Sequence, residues 1–120
     1  MKDAVFYKVL AFDAEGEFEC LRRFSDFEEL RSAWSRRLPG IYKPFLPAKK
    51  IIGNTDAGHL EERAFLLEWF LRKVYKLPYL LASEEYSVFA RHESKADISV
   101  KKALQNLPDQ SVNMLSFRVK

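Results

Sequence analysis

Cys20-Leu21-Arg22-Arg23-Phe24-Ser25-Asp26-Phe27-Glu28-Glu29-Leu30 decides how this chain folds, because one periodicity ends within it and another begins. Upstream, residues 6–13 read as a strand in which Phe6, Leu10 and Phe12 share one face. Glu15-Gly16 makes a turn and residues 17–24 return as the partner strand, so the pattern predicts a β-hairpin. Ser25 with Glu28 three residues later has the form of a capping box. Behind it Phe27, Leu30, Trp34 and Leu38 recur at helical spacing, which predicts a helix starting directly where the second strand ends. Pro39-Gly40 stops it.

Working outward, residues 41–58 hold Pro44, Pro47, Gly53 and Gly58, too many breakers for regular structure. A loop of that length in a compact domain is generally functional or disordered, and the apolar and basic residues retained here argue for function. From about His59 to Lys76 the apolar residues run almost all the way round, as a helix packed on several sides requires; Trp34, Trp69 and most phenylalanines are accordingly expected in the core. Ser83, with Glu84 and Glu85 at the positive end of the helix dipole, caps a shorter helix through Phe89. The compact domain is expected to span residues 1–91, and residues 92–120 to form a C-terminal helical extension or linker. Within that extension Ile98, Val100, Ala103, Leu104 and Leu107 make a weakly amphipathic stretch closed by Pro108.

The 120 residues are 48% hydrophobic and 14% aromatic, which suits one globular core. The lone Cys20 cannot form an internal disulfide and no charged-then-apolar leader is seen, so a reducing, cytoplasmic setting is expected. No apolar run approaches the roughly 20 residues a membrane span needs, so any membrane contact is expected to be peripheral. The net charge of +3 conceals an uneven distribution. Residues 1–21 carry two basic and five acidic groups. Residues 22–50 carry eight basic groups (Arg22, Arg23, Arg31, Arg36, Arg37, Lys43, Lys49, Lys50) against three acidic ones, a local +5 that favours anionic partners. Among these, Arg31, Arg36 and Arg37 read as solvated charges on a helix face.

Neither His59 nor His92 has a second histidine or a cysteine at metal-ligand spacing, so no metal site is read and no cofactor is expected. Nothing resembles a nucleophile elbow, a phosphate-cradling glycine loop or a supported carboxylate pair, so the chain is not read as an enzyme. No nucleic-acid-binding module is recognisable either. Three separated features remain: Arg22-Arg23-Phe24 at the strand-to-helix junction, Lys49-Lys50 beyond the Pro44/Pro47 pair, and Arg63 early in the long helix. Convergent, they suit a phosphorylated ring, because an arginine fork binds two phosphate oxygens, a lysine supplies a point charge and an aromatic ring packs on an apolar ring face. Adjacent strand positions point to opposite faces, so only one of Arg22 and Arg23 lines a given pocket. Arg63 could instead pair with Glu61, Glu62 or Glu68, and Ile51-Ile52 could tuck into the core.

Arg22-Arg23-Phe24-Ser25-Asp26-Phe27 closely resembles the arginine–arginine–aromatic–serine–acid–phenylalanine signature of PX (phox homology) domains. Pro44-Phe45-Leu46-Pro47-Ala48-Lys49 is similar to the P-x-x-P-x-K loop of that family. Residues 61–71, an arginine followed by an apolar helical pattern, resemble its next helix, and residues 83–89 its closing helix. The resemblance spans roughly residues 6–91 and is of the sorting-nexin type. It implies an α+β fold, a small antiparallel β-sheet packed against a helical subdomain, with a proline-containing membrane loop. It further implies a phosphoinositide-binding membrane-targeting module that recognises phosphatidylinositol 3-phosphate on endosomes, peripheral and cytoplasmic. The alternative is a PX-like protein-interaction domain with weak or no lipid binding.

By the same resemblance Arg23 binds the 3-phosphate, Phe24 stacks on the inositol ring, Lys49 meets the phosphate joining inositol to glycerol, and Arg63 hydrogen-bonds the 4- and 5-hydroxyls. Arg22, Lys43 and Lys50 are secondary basic residues, and Ile51 and Ile52 insert into the bilayer. Protein partners are expected through the proline loop, where Pro44-x-x-Pro47 also resembles an SH3-domain ligand, or through the C-terminal extension. Two departures stand out: the family commonly has a further N-terminal strand, and positions 24 and 43 carry Phe and Lys where Tyr and a large aliphatic residue are more usual.

Overall fold

The computed structural model describes residues 5–13, 15–46, 57–92 and 99–108. Strands β1 (Phe6–Asp13) and β2 (Gly16–Arg23) form a two-stranded antiparallel sheet with Phe6 opposite Arg23 and Asp13 opposite Gly16. Gly16 opens the return strand at φ 126°, a conformation strained for any residue with a side chain. Helix α1 (Phe24–Arg37) follows β2 without a break. Then come α2 (Ala57–Val74), the short α3 (Pro78–Leu81), α4 (Glu84–Arg91) and α5 (Val100–Gln105). The hairpin follows the sequence pattern, and the α+β class is the one the resemblance implies.

Strand alternation divides the sheet. Tyr7, Val9 and Ala11 face the helices together with their partners Arg22, Cys20 and Phe18, and Val9 and Ala11 are buried. Phe6, Leu10 and Phe12 do share the other face, but Phe6 and Leu10 are exposed along with Leu21; only Phe12 finds cover, its ring 4.4 Å from that of Tyr75. On the helical side, Phe27, Leu30 and Trp34 of α1 meet Phe70, Leu71 and Val74 of α2 and Phe89 of α4. Phe27 lies edge-on to Phe70 at 6.2 Å and to Phe89 at 5.0 Å. With that many neighbours, Phe27→Ala removes about 3–5 kcal/mol.

Ser83 joins α1 to α4. Its Oγ accepts from the Trp34 indole at 2.9 Å and from the Tyr86 N–H at 3.1 Å, and donates to Leu80 O at 2.6 Å. The hydroxyl therefore caps α4, as its position in the sequence suggests, and also satisfies a buried indole N–H.

Three expectations need correction. The cap of α1 is Arg23 with Asp26, not Ser25 with Glu28: the Arg23 backbone N–H donates to Asp26 Oδ2 at 2.7 Å. The reason is packing, since Phe24 and Phe27, three residues apart, both turn inward and pull the helix start ahead of Ser25. Second, α2 is not packed on all sides. Leu67, Phe70, Leu71 and Val74 are buried, whereas Phe65 is 57% and Trp69 48% exposed, so Trp69 is no core residue. Third, Arg31, Arg36 and Arg37 are not simply solvated. Arg37 is fully buried, donating to Glu85 Oε2 at 2.9 Å, Glu84 Oε1 at 3.1 Å and Pro108 O at 2.6 Å. Arg36 donates to Leu104 O and Leu107 O at 3.2 Å, and Arg31 to Pro44 O at 2.8 Å. Helix α5 explains two of the three: it packs on α1 and α4 and buries Val100 and Leu104 in the common core. Among the described residues no helix is long and apolar enough to cross a membrane.

Candidate phosphoinositide site

The site grows from the alternation at the end of β2. Arg22 faces inward and Arg23 outward, as neighbouring strand positions must. Arg22 is drawn to the C-terminus of α4, where the last carbonyls lack helical partners. Its guanidinium donates to Phe89 O, to His92 O at 2.8 Å, to Ala90 O at 3.3 Å and to Leu21 O at 2.6 Å, and lies 5.9 Å from the Phe89 ring centroid. It clamps the sheet to α4 and is not displayed to a ligand, which corrects its reading as a secondary basic residue.

Arg23 stays exposed at the first position of the junction, in extended conformation (φ −92°, ψ 163°), its guanidinium 5.8 Å from the Phe6 ring centroid. No described carboxylate forms an ion pair with it. The Asp26 carboxylate is directed at the Arg23 backbone N–H, which fixes the turn and leaves the guanidinium for other work. Helix α1 starts immediately beyond, and its unpaired N–H groups and dipole favour an anion there.

From the opposite direction α2 delivers Arg63. Only 7% exposed, Arg63 holds its guanidinium 5.2 Å from the centroid of Phe24, itself 5% exposed. Glu68, one of the partners considered for Arg63, is instead engaged by Arg72 at 2.7 Å. Arg63 and Phe24, about forty positions apart in sequence, thus meet directly, with Arg23 the residue before Phe24 on the chain. A cation against an aromatic face is stabilising, and more so when water is excluded, as it is here. It also means that the Phe24 ring is covered by Arg63 in this state.

The near end of the proline loop is tied down residue by residue. Tyr79 Oη donates to Tyr42 O at 2.9 Å, Arg31 Nε to Pro44 O at 2.8 Å and Lys43 Nζ to Leu38 O, an unpaired carbonyl just past the end of α1. Burial, and then the neighbouring Arg31 charge, push the Lys43 pKa down. Lys43 therefore serves the loop base. Tyr42 and Phe45 are exposed there, an aromatic feature that the sequence pattern does not single out. Lys49, Lys50, Ile51 and Ile52 lie outside the described residues.

Comparison with known proteins points the same way. The family profile named PX domain matches residues 10–93. The vacuolar protein sorting-associated protein vps5 of Schizosaccharomyces pombe is 33% identical over 73 residues, which make up 61% of this chain and 13% of that protein. The chain thus spans only a small part of that relative. Among solved structures, a designed CISK-PX domain superimposes with a TM-score of 0.63 at 31% identity, covering 73% of this chain and 83% of the other.

Proposed function

Since this chain belongs to the PX domain family and is of the sorting-nexin type, a class of phosphoinositide-binding trafficking modules, we propose that it recognises phosphatidylinositol 3-phosphate on endosomal membranes. The observation that carries the reading is the contact between Arg63 and Phe24 at 5.2 Å, which brings the second helix onto the junction beside the exposed Arg23.

In this account Arg23 takes the 3-phosphate through its paired N–H donors, supported by the N-terminus of α1. Arg63 turns from the Phe24 ring to the 4- and 5-hydroxyls, which uncovers the ring for the inositol and leaves no room for further phosphates on those carbons. Lys49 meets the phosphate that links inositol to glycerol. Lys50, Ile51 and Ile52, with Phe45 at the loop base, contact the bilayer. A basic residue near an anionic surface contributes about 1 kcal/mol and full burial of an isoleucine side chain about 1.5–3 kcal/mol. Loop and pocket are therefore comparable in weight, and binding to vesicles is much tighter than binding to the soluble headgroup. Residues 1–91 form the lipid-binding unit, and 92–120 an extension whose α5 is fastened to it through Arg36 and Arg37.

Flotation of the protein with vesicles carrying one phosphoinositide at a time tests this. A preference for the 3-phosphate that disappears with Arg23→Ala is the expected result. Equal recovery with every phosphoinositide and with none would instead support a domain whose surface serves protein partners. Titration calorimetry giving equal affinity for soluble headgroup and vesicles would remove the loop from the account.

A further inference from the structure

The exposed side of α2 is unlike an ordinary solvated helix face. Helical steps of about 100° per residue send Arg63, Leu67, Phe70, Leu71 and Val74 toward the core. The same steps send Phe65, Trp69, Arg72 and Lys73 the opposite way, Lys76 follows in the turn just beyond the helix, and all five are exposed. Together with Glu68 they line an open groove of about 510 Å³. Phe65 and Trp69, one turn apart, stand edge to face with centroids 6.5 Å apart, and Lys73 Nζ lies 5.1 Å from the Trp69 ring centroid. Two large aromatic side chains are thereby held in fixed orientation in water.

The charges around them are unbalanced. Arg72 spends its guanidinium on Glu68, with Nη2 at 2.7 Å and Nε at 3.0 Å from Oε2. That pair is neutral. Lys73 and Lys76 remain, and neither forms an ion pair with a described carboxylate. The groove is thus aromatic at its floor and carries two surplus positive charges along its rim.

We infer that the outer face of α2 is a docking site for an acidic segment of a partner protein, one that seats an apolar side chain on Phe65 and Trp69 and sets its carboxylates against Lys73 and Lys76. Charge complementarity selects the acid, and the aromatic floor selects the apolar anchor; tryptophan is among the residues that most often dominate such interfaces. The occupant is a protein rather than a bilayer because Arg63 and the groove lie on opposite sides of α2. A membrane seated where Arg63 meets Phe24 leaves Phe65 and Trp69 facing water. The groove shares no residue with the headgroup pocket, and the choice of a protein over a bilayer as its occupant rests on that pocket being the membrane-facing one.

Panning the immobilised domain against random peptides displayed on phage tests the assignment. The enriched peptides should be rich in Asp and Glu and carry at least one aromatic or aliphatic residue. A synthetic peptide from that set should bind about tenfold or more weaker to Trp69→Ser and to the double variant Lys73→Glu, Lys76→Glu. Arg23→Ala should leave its affinity unchanged. Trp69 is 48% exposed and the lysines are exposed, and the melting temperature of each variant, measured beside the parent's, separates lost binding from lost folding. Three results would overturn the inference: no enrichment, enriched peptides without acidic character, or affinities unmoved by these substitutions. A fourth would be binding to phosphatidylserine vesicles lacking phosphoinositide that is lost with Phe65→Ser and Trp69→Ser, which would make the stripe a membrane contact.

Discussion

Helix α1 has an arginine at each end, and the two ends treat it in opposite ways. At the C-terminal end Arg37 is fully buried between Glu85, Glu84 and the Pro108 carbonyl, and Arg36 beside it spans the end of α5. At the N-terminal end Arg23 is exposed and its nearest acid, Asp26, is occupied with a backbone N–H. The residue types are the same; the difference lies in what the neighbouring elements supply. Helix α4 begins with Glu84 and Glu85 and so delivers carboxylates to Arg37, whereas α2 delivers another cation, Arg63, onto the ring of Phe24, the residue after Arg23. In the proposed reading the cationic end whose acid is turned aside takes an anion from outside, whereas the end filled by carboxylates holds the fold together.

Exchanging the behaviour of the two ends would break this contrast. The largest effect on stability belongs to Arg37→Ala, which leaves Glu85 buried and unpaired and should remove about 3–5 kcal/mol. Chemical denaturation measures this, and a loss under 1 kcal/mol would mean that the pair is not needed. Arg22→Met comes next. It withdraws donors from three carbonyls at the end of α4 and should cost about 1–3 kcal/mol while leaving vesicle binding by the folded protein intact. Arg23→Ala should do the reverse, shifting stability by no more than about 0.5 kcal/mol and weakening binding to 3-phosphoinositide vesicles about ten- to a hundredfold.

The smallest effect lies away from both ends. Burial raises the Tyr75 pKa well above its ordinary 10.0, and its hydroxyl donates to Leu10 O at 2.9 Å. A group with a raised folded pKa contributes stability in full below the unfolded value and loses it as pH climbs toward the folded one. Stability should therefore decline above about pH 10, and less steeply in Tyr75→Phe, as thermal melts across that range would show.

How much of this was legible beforehand depended on whether the signal was local. The hairpin, the Ser83 cap and the strand-to-helix junction follow from short-range pattern, and so does the placing of Arg22 and Arg23 on opposite faces. The start of α1 was misjudged because Ser25 looks like a cap while the inward pull on Phe24 is tertiary. Arg37 looks like any helix-surface arginine, and only the approach of α4 and α5 makes it a buried partner. In α2, an apolar run without a polar side suggested burial all round, yet the rest of the domain covers one side only. That mismatch is what exposes Phe65 and Trp69. At the candidate site, residue types and order were readable; that Arg63 lies against Phe24 was not, because it depends on how α2 packs on the start of α1.

The most direct measurement is an NMR titration of the arginine side-chain Nε–Hε signals with inositol 1,3-bisphosphate. If the cationic end of α1 is the headgroup site, the signals of Arg23 and Arg63 move in proportion to occupancy while those of Arg22, Arg36 and Arg37 stay in place. Movement of the Arg37 signal with those of Arg23 and Arg63 unmoved, or no movement at any arginine at saturating ligand, would contradict it.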